Sequence, residues 1–515
     1  MTNFDLAENI FELLRQSSVE TIVVCAGARN APLVMALVKT NFRIIPFYEE
    51  RSAAFFALGL IKNSGRPVAV LITSGTAVAE ILPAAIEATY QGLPLIIVSA
   101  DRPKAYRQSG APQSIEQIGI FSKYCEVVYD LDVYSKNFDF EWSFRNPIHL
   151  NVCFDEPLLD QPSKGEPKQN VTIKKKNVNL NSAGKKFDIE NPFIIVSEVP
   201  PSEHTRVKDF LMRWETPFYA EPLSHMNLEA ELDPFLIQSE ALLKKLFSEK
   251  KFNSLIRIGG VPTLRFWRDL ESDFKNFPVF NFSDLSYTGL ARPSEICSYK
   301  QLSEISIRCA DGLVEDLKRR DEKFQKLKDQ LLLKYPMSEP TCVLHLSLAT
   351  KATPIYLGNS LPIRHWDAFA KNQSTQIFAN RGANGIDGQI STYLGWSEKF
   401  DSSVCLIGDL TALYDLSSLG LSPQLRKSKR QIVVLNNFGG QIFQRIFKND
   451  LFINSHKIEF QHWAKMWNWH YQIIQKPADF IKLHNADLST IVEIQPDPQQ
   501  TKQFWDEWDI ACQKI

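Results

Sequence analysis

The feature that most constrains the fold is a regular alternation of short apolar runs with longer segments of helical pattern. In the first third of the chain the runs are TIVVC, FRIIPFY, PVAVLIT and LPLIIVSA, which are rich in β-branched residues and short enough to be buried strands. This alternation predicts a parallel sheet with helices on both faces. In such a sheet, ligands bind at the loops that follow the carboxyl ends of the strands.

The same alternation returns twice further along the chain. PFIIVSE, SLIRIGG and FPVFNFS are the strand candidates in the middle, and QIFAN, SVCLIGD, RQIVVLNN and LSTIVEI follow Pro340. Because 515 residues exceed what one hydrophobic core normally organises, we predict an α/β protein of three successive domains, 1–165, 190–335 and 340–515. The charged segment 310–335 has the pattern of a long helix that closes the middle domain.

Residues 160–192 are interpreted as a linker. They contain seven lysines together with Pro, Gly and Asn, and they have little apolar periodicity. A nucleic-acid patch is the alternative, but no interleaved aromatic residues offer stacking surfaces for bases. A solvated connection is therefore the preferred interpretation.

The overall composition argues against several classes of partner. The 58 basic residues nearly balance the 59 acidic residues, so a general binder of nucleic acid is not expected, although a local basic pocket is compatible with this balance. The opening MTNFDLAENIFELLRQ lacks the basic start and apolar core of a signal peptide, and no run approaches the ~20 apolar residues of a membrane span. Eight cysteines have no CxxC spacing. We expect a cytoplasmic protein.

Two short polar motifs suggest a metal site in the last third of the chain. SSVCLIGD ends in Gly408 and Asp409, and RQIVVLNN ends in Asn436 and Asn437, with 27 residues between Asp409 and Asn437. If the two strands are neighbours joined by a right-handed crossover, both ends open on the same edge of the sheet. Carboxylate and amide oxygens suit Mg²⁺, but turn chemistry explains each dipeptide separately.

This Gly-Asp to Asn-Asn arrangement resembles the diphosphate-anchoring motif of the thiamine-diphosphate-dependent enzymes. The resemblance implies that Asp409, the Asn437 side chain and the Gly439 carbonyl bind Mg²⁺ or Mn²⁺, which holds the cofactor. It also makes residues 1–165 the pyrimidine-binding domain and 340–515 the diphosphate-binding domain. The family usually has GDG or GDS at the first motif, whereas this chain has GDL.

The same resemblance implies a catalytic glutamate in the first domain. RIIPFY is followed by Glu49 and Glu50, and then by a helix of small and apolar residues that ends at Gly65. By the resemblance, Glu50 binds the aminopyrimidine ring and promotes the tautomer that deprotonates the thiazolium carbon. The alternative is a first-turn carboxylate that the helix dipole favours, a role that also suits Glu49.

Further cofactor contacts follow from the resemblance. TSGT forms a turn at a helix start, and Ile386 in GANGIDG corresponds to the apolar wedge that keeps the cofactor bent. A plain capped helix and ordinary packing are the alternatives for these two features. The full set of expected cofactor contacts is Glu50, Thr73, Ser74, Gly75, Ile386, Gly408, Asp409, Leu410, Asn437, Gly439, Gln441, Ile442 and Phe443.

A finer resemblance selects one branch of the family. CAGARNAPL, YEERS, TSGTAVAE, SADRP, SGAPQ, NRGANGIDG, GDLTALYDL and NNFGGQIF are similar to the carboligases of menaquinone biosynthesis, and they lie in both outer domains. The resemblance implies decarboxylation of 2-oxoglutarate and addition of the resulting succinyl-semialdehyde carbanion to isochorismate. It also implies a homodimer at minimum, with a homotetramer as the larger assembly, because the glutamate and the metal motif meet between subunits in this family.

Arginines are the suitable residues for four substrate carboxylates, because the guanidinium group binds a carboxylate through two hydrogen bonds. Matched by motif, Arg29, Arg102 and Gln113 hold isochorismate, and Arg364 and Arg381 meet 2-oxoglutarate. Packing against Trp366 is the alternative role for Arg364. The expected substrate contacts are Arg29, Arg102, Gln113, Arg265, Arg364, Arg381, Ile442 and Phe443. The chain departs from the family pattern at Ala28, Leu264 and Asn384.

Three other functions are alternatives. A different thiamine-diphosphate enzyme that acts on a 2-oxo acid is the nearest alternative, and a non-catalytic α/β binding protein is the alternative of another class. A dinucleotide-dependent dehydrogenase is disfavoured, because no GxGxxG follows a strand with an acidic residue ~20 positions on.

Overall fold

The computed structural model describes residues 1–135, 138–162, 171–176, 186–371, 376–447, 449–485 and 488–514. Their contacts divide the chain into two compact units. Unit 1 consists of Met1–Val178, Asn380–Asp401 and Thr411–Ser428, and unit 2 consists of Asn179–Ala379, Ser402–Leu410 and Lys429–Ile515.

Unit 1 is built on a six-stranded parallel sheet of order β2-β1-β3-β4-β7-β5, beside which β6 and β8 form a parallel pair. The strands are β1 (Thr21–Val24), β2 (Arg43–Pro46), β3 (Val68–Ile72), β4 (Leu95–Asp101), β5 (Val127–Leu131), β6 (Phe138–Trp142), β7 (Ile148–Cys153) and β8 (Val171–Lys175). Every residue of β3, β4 and β7 is buried, as expected for strands covered on both faces.

Unit 2 contains two larger parallel sheets, of order β11-β10-β12-β13-β14 and β17-β16-β18-β19-β21-β20, and the pair β9 and β15. The strands are β9 (Phe187–Glu190), β10 (Pro192–Val196), β11 (Phe218–Ala220), β12 (Ser254–Ile258), β13 (Val279–Phe282), β14 (Ile296–Cys297), β15 (Ile305–Arg308), β16 (Ile355–Leu357), β17 (Ile377–Phe378), β18 (Ser402–Gly408), β19 (Lys429–Leu435), β20 (His470–Ile474) and β21 (Thr490–Ile494). Separate apolar clusters cover the two faces of the first of these sheets.

Helices connect the strands in both units. They are α1 (Asn3–Gln16), α2 (Ala31–Leu37), α3 (Glu50–Ser64), α4 (Thr76–Glu80), α5 (Leu82–Gln91), α6 (His204–Trp214), α7 (Glu240–Ser248), α8 (Arg265–Asp269), α9 (Leu313–Lys334), α10 (Glu339–Ala349), α11 (Leu361–Phe369), α12 (Gln389–Trp396), α13 (Asp409–Tyr414), α14 (Gln444–Phe447), α15 (Gln461–Met466) and α16 (Pro498–Cys512). Among the helices described, none has both the length and the apolar composition that a bilayer crossing requires.

The α/β class and the main strand assignments are confirmed. All eleven predicted apolar runs contain a strand, and α9 is the long charged helix expected within 310–335. Helix α3 ends at Gly65, whose φ of 69° is the left-handed conformation that glycine adopts readily. The division into three domains stays a prediction.

Two sequence interpretations are corrected. The predicted linker contains β8 and β9 in its described part, because alternate apolar residues of these strands find partners in β6 and β15 that lie far away in the sequence. Its residues 163–170 and 177–185 lie outside the described residues. The second interpretation concerns the aromatic segment 462–471, whose pattern predicts a helix packed in the core. The segment is only half helical, since α15 ends at Met466 and β20 begins at His470.

A close helix pair within unit 1 brings α12 against α3. Glycine makes the approach possible, because a Cβ at Gly59 would lie 2.0 Å from the Thr392 carbonyl oxygen and one at Gly395 would lie 2.2 Å from the Phe56 carbonyl oxygen. Contacts this short exclude any side chain at these positions. The backbones of α3 and α12 are therefore in direct contact at Gly59 and Gly395.

Candidate active site

The proposed metal ligands of unit 2 converge at one edge of its last sheet. Strands β18 and β19 are parallel neighbours, with Gly408 opposite Leu435 in the register, which confirms the pairing expected from the sequence. Asp409 follows β18 directly, and its Oδ2 accepts a hydrogen bond of 2.9 Å from the Gly439 amide. The Leu410 amide donates to Asp409 Oδ1 at 2.6 Å. Asp409 and the loop after β19 are thus in direct contact.

The Asn437 side chain directs its amide nitrogen towards Glu339. Its Nδ2 lies 3.2 Å from each carboxylate oxygen of Glu339, the first residue of α10. Its Oδ1 is buried and has no hydrogen-bond partner among the described residues. The Gly439 carbonyl accepts from the Gln441 amide at 2.9 Å, which leaves its second lone pair available. Both oxygens can therefore accept a further contact, Asn437 Oδ1 as an atom without a described partner and the Gly439 carbonyl through its second lone pair.

Burial raises the pKa values of two acidic groups at this edge. Burial raises the pKa of Asp409, although the hydrogen bond from Gly439 opposes the shift. Burial also raises the pKa of Glu339 to about 7, with Asp409 adding to the shift. His456 Nε2 lies 3.2 Å from Asp409 Oδ2. A divalent cation would reverse the balance for Asp409, because it favours the ionised carboxylate.

The segment after Gly439 forms an aromatic surface. Gln441, Ile442 and Phe443 make one short 3₁₀ helix, and Gln441 Nε2 donates to the Asn437 carbonyl at 3.3 Å. Phe443 is 40% exposed, and its ring lies 6.0 Å from that of Phe447. Ile442 is half-buried, and the role of Phe443 as a wall of the ligand site stays a prediction.

The two adjacent glutamates of unit 1 have different environments. Glu49 is the N-cap of α3, where its side chain accepts from the amides of Arg51 and Ser52. Glu50 is the first residue of α3, and within the described chain its carboxylate accepts only from its own amide. Burial raises the pKa of Glu50. Glu49 therefore caps α3, whereas Glu50 is the acidic residue of its first turn, where the helix dipole favours a carboxylate.

The TSGT turn lies between β3 and α4, as expected from the sequence. Thr73 Oγ1 and Ser74 Oγ are buried without hydrogen-bond partners in the part of the chain that is described. A Cβ at Gly27 would lie 2.6 Å from Thr73 Oγ1, so the loop after β1 packs directly on this turn. Two orphaned hydroxyls on one turn are typical of a site that receives a polar ligand.

The residues expected to hold isochorismate lie on loops of unit 1. Arg29 is 8% exposed, and its Nη1 donates to the Phe154 carbonyl at 3.2 Å and pairs with Glu156 at 3.4 Å. Arg102 is half-buried after β4, and its Nε donates to the Pro112 carbonyl at 2.9 Å. Gln113 is exposed on the same loop. The hydrogen bond to Pro112 thus joins the Arg102 and Gln113 segments.

A buried amide network fixes that loop to the TSGT turn. Gln117 Oε1 accepts from the Gly75 amide at 2.9 Å, and Gln117 Nε2 donates to Asn151 Oδ1 at 2.7 Å. Asn151 in turn donates to Asp101 Oδ2 at 3.0 Å, one residue before Arg102. Both amide residues are fully buried. Motif reading missed them because an isolated Gln or Asn carries no local signal of such a role.

The loop that carries Arg381 and Ile386 is anchored by another buried acid of unit 1. Glu87 accepts from the amides of Gly382 and Ala383 at 2.8 and 2.6 Å. Arg381 and Ile386 are both half-buried. From the sequence alone, Glu87 has the pattern of an ordinary residue on one face of α5. Its role in anchoring this loop could therefore not be recognised from a motif.

Arg265 and Arg364 line one cavity of about 460 Å³ within unit 2. Arg265 begins α8, and Arg364 lies on α11. Glu240 and Asp367 also line this cavity, and burial raises the pKa of both acids. Two arginines that the sequence assigned to substrate therefore face a common space.

The residues present fit thiamine diphosphate and a divalent cation. Unpartnered oxygens occur both at the TSGT turn and at the end of β19, and the donor set of Asp409, Asn437 and Gly439 consists of the hard oxygens that Mg²⁺ prefers. The described residues contain no cluster of three or more His, Cys, Asp or Glu side chains that could hold a metal ion.

Comparison with known proteins defines the class of the chain. Residues 4–120 match the family described as thiamine pyrophosphate enzyme, N-terminal TPP binding domain. The matched segment includes Glu50 and the TSGT turn. The fold and this match place the chain among the thiamine-diphosphate-dependent enzymes.

Similar proteins narrow the class further. A protein of Bdellovibrio bacteriovorus is 45% identical over 99% of both chains, and one of Akkermansia muciniphila is 36% identical over 94% of both chains. A protein of Oceanobacillus iheyensis is 29% identical over 98% of this chain and 97% of its own. All three are named 2-succinyl-5-enolpyruvyl-6-hydroxy-3-cyclohexene-1-carboxylate synthase. This chain belongs to that family of synthases.

Proposed function

We propose that this protein decarboxylates 2-oxoglutarate and adds the remaining succinyl-semialdehyde unit to isochorismate. The product is 2-succinyl-5-enolpyruvyl-6-hydroxy-3-cyclohexene-1-carboxylate, an intermediate of menaquinone biosynthesis. The observation that carries the proposal is 45% identity over 99% of the chain to a synthase with this name. The unpartnered oxygens at the candidate site add support.

In this proposal the chain holds the cofactor by its two ends. Asp409, Asn437 and the Gly439 carbonyl bind Mg²⁺ or Mn²⁺, which anchors the diphosphate. Glu50 holds a proton at the pyrimidine ring, and the freedom of its carboxylate from structural hydrogen bonds supports this role. When bound, thiamine diphosphate supplies the electron sink that decarboxylation needs. Ile386 supports the bent cofactor, and Ile442 and Phe443 exclude water from the site.

The arginines recognise the substrate carboxylates in the same proposal. Arg29, Arg102 and Gln113 bind isochorismate, Arg364 and Arg381 bind 2-oxoglutarate, and Arg265 is a further substrate contact. The cavity that Arg265 and Arg364 both line supports a substrate role for these two residues. Fixed guanidinium groups in a cleft closed to water bind carboxylates more strongly than they would in bulk solvent.

We also propose a homodimer or homotetramer in which the Glu50 of one subunit and the metal ligands of its partner act on the same cofactor. The proposed location is the cytoplasm. Support comes from the eight cysteines, none of which forms a disulfide within the described residues, because a reducing compartment keeps thiols unpaired.

A product assay tests the function. Purified protein is incubated with thiamine diphosphate, Mg²⁺, 2-oxoglutarate and isochorismate, and the product is identified by mass spectrometry. The proposal expects a product equal in mass to both substrates minus CO₂, which is absent when any component is omitted. A product formed from pyruvate alone would contradict the proposal and favour another 2-oxo acid enzyme.

Replacing Arg102 with alanine is expected to raise the KM for isochorismate by about 10- to 100-fold, because a charge-assisted bidentate pair is lost. The KM for 2-oxoglutarate should change little. Steady-state kinetics with each substrate varied in turn provides the measurement. Lys104→Ala is the matched control, since Lys104 is a nearby cation that pairs with Asp132 at 2.8 Å. An equal rise of the KM for isochorismate in both variants would contradict the assignment of Arg102 to this substrate.

A further inference from the structure

We propose that Glu339 is a positioning residue that turns the Asn437 side chain so that Oδ1, and not Nδ2, faces the metal. The inference rests on the proposed metal site at Asp409 and Asn437. Glu339 was not a candidate from the sequence, and it contacts neither the cofactor nor the cation in this account. It acts through Asn437 alone.

The hydrogen-bond geometry carries the inference. Asn437 Nδ2 lies 3.2 Å from both oxygens of Glu339, and an amide nitrogen can only donate, so Glu339 holds the donor end of this side chain. An amide has its donor and its acceptor on opposite sides, so a donor fixed on Glu339 directs Oδ1 the other way. That Oδ1 is buried and has no partner among the residues described. The orientation leaves one oxygen ready for a ligand.

Glu339 is itself held firmly. It is fully buried at the start of α10, and its amide donates to Thr501 Oγ1 at 3.0 Å. His365 Nδ1 lies 3.5 Å from Oε1, and the His365 ring stacks on Trp505. A side chain packed in this way loses little further freedom when it orients its neighbour, which is a requirement for a positioning role.

The adjacent Asn436 provides an internal comparison. Its Nδ2 donates to Glu493 at 2.7 Å and to the Ile458 carbonyl at 3.0 Å, and its Oδ1 accepts from the Phe438 amide. Asn436 therefore has both ends satisfied within the fold. Asn437 has only its donor end satisfied, which distinguishes the ligand from the structural residue in the Asn-Asn pair.

A wrongly turned amide would present a donor to a cation. Mg²⁺ demands nearly octahedral oxygen coordination at about 2.0–2.1 Å, whereas Ca²⁺ accepts six to eight oxygens in flexible arrangements. Loss of the orienting carboxylate should therefore lower the affinity for Mg²⁺ more than the affinity for Ca²⁺. This difference separates a positioning role from a merely structural one, because a general loosening of the fold has no reason to discriminate between the two ions.

The test is calorimetric titration of Mg²⁺ and of Ca²⁺ into protein with saturating thiamine diphosphate. Glu339→Leu is expected to lower the affinity for Mg²⁺ by about 10- to 100-fold, the usual range for residues that orient a metal ligand. Glu339→Gln keeps an oxygen that can accept from Asn437, but it also offers a donor. Its loss of Mg²⁺ affinity should therefore be smaller, less than about tenfold. In both variants the ratio of Mg²⁺ to Ca²⁺ affinity should fall.

Glu221→Gln is the matched control, because Glu221 is another buried acid of unit 2 that accepts hydrogen bonds, from the Leu264 amide at 3.2 Å among others. The Mg²⁺ affinity of the Glu221→Gln variant should equal that of the unchanged protein. Wild-type affinity in a folded Glu339→Leu, or an unchanged ion ratio in Glu339→Gln if the leucine variant fails to fold, would overturn the inference. Absence of Mg²⁺-dependent cofactor binding in the unchanged protein would instead overturn the proposed function.

Discussion

Glu50→Gln is expected to lower turnover by about 10²- to 10⁴-fold, the range that a positioned acid–base group contributes. Thiamine diphosphate and Mg²⁺ should still bind with nearly unchanged affinity, because glutamine has the same shape and Glu50 has no structural hydrogen bond to lose apart from its own amide. Turnover is measured with both substrates saturating, and cofactor binding by calorimetry. The two readouts separate a chemical role from a binding role.

The neighbouring Glu49→Gln is the control for this experiment. Glu49 caps α3 through the amides of Arg51 and Ser52, and a glutamine oxygen can accept the same bonds. We expect turnover close to that of the unchanged protein and, at most, a lower midpoint of thermal unfolding. A large loss of turnover in Glu49→Gln together with normal turnover in Glu50→Gln would reverse the two assignments.

Asp409→Ala is expected to weaken Mg²⁺-dependent binding of thiamine diphosphate by more than about 100-fold, beyond the range for residues that only orient a ligand. The carboxylate supplies the one anionic protein ligand of the proposed set and also holds the Gly439 amide at 2.9 Å. Removing it loses a ligand and releases the loop that carries another. Calorimetry with the cofactor at a fixed excess of Mg²⁺ provides the measurement.

Asp450→Ala is the control for charge, because Asp450 is an exposed acid of the same unit that lies outside the ligand set. Its cofactor affinity should not change. If Asp409→Ala bound thiamine diphosphate and Mg²⁺ as tightly as the control, the edge formed by β18 and β19 would not be the metal site.

Much of the fold could be predicted because its central strands contain continuous apolar runs. The run LPLIIVSA gives β4, which is buried at every residue, and RQIVVLNN gives β19. Strands such as β8 were missed because VTIKK has few apolar residues and depends on its partner β6, which lies far away in the sequence. Tertiary pairing of this kind leaves no local pattern.

In the candidate site, too, residues with a local sequence pattern could be predicted, and residues that depend on distant partners could not. Asp409 and Asn437 could be predicted because polar residues directly after parallel strands meet at one edge of a sheet, and the pairing of β18 with β19 bears out that geometry. Glu339, Gln117 and Glu87 could not be predicted. Each is a buried polar residue whose partner is distant in the sequence, and only the folded chain brings the two together.

A crystal structure of the protein with thiamine diphosphate and Mn²⁺ tests the central claim most directly, since the anomalous signal of Mn²⁺ locates the metal. We expect the ion at about 2.1–2.3 Å from an oxygen of Asp409, from Asn437 Oδ1 and from the Gly439 carbonyl, with the Glu50 carboxylate within hydrogen-bond distance of the pyrimidine ring. A metal peak bound elsewhere, or a Glu50 remote from the cofactor in every subunit pair, would contradict the account.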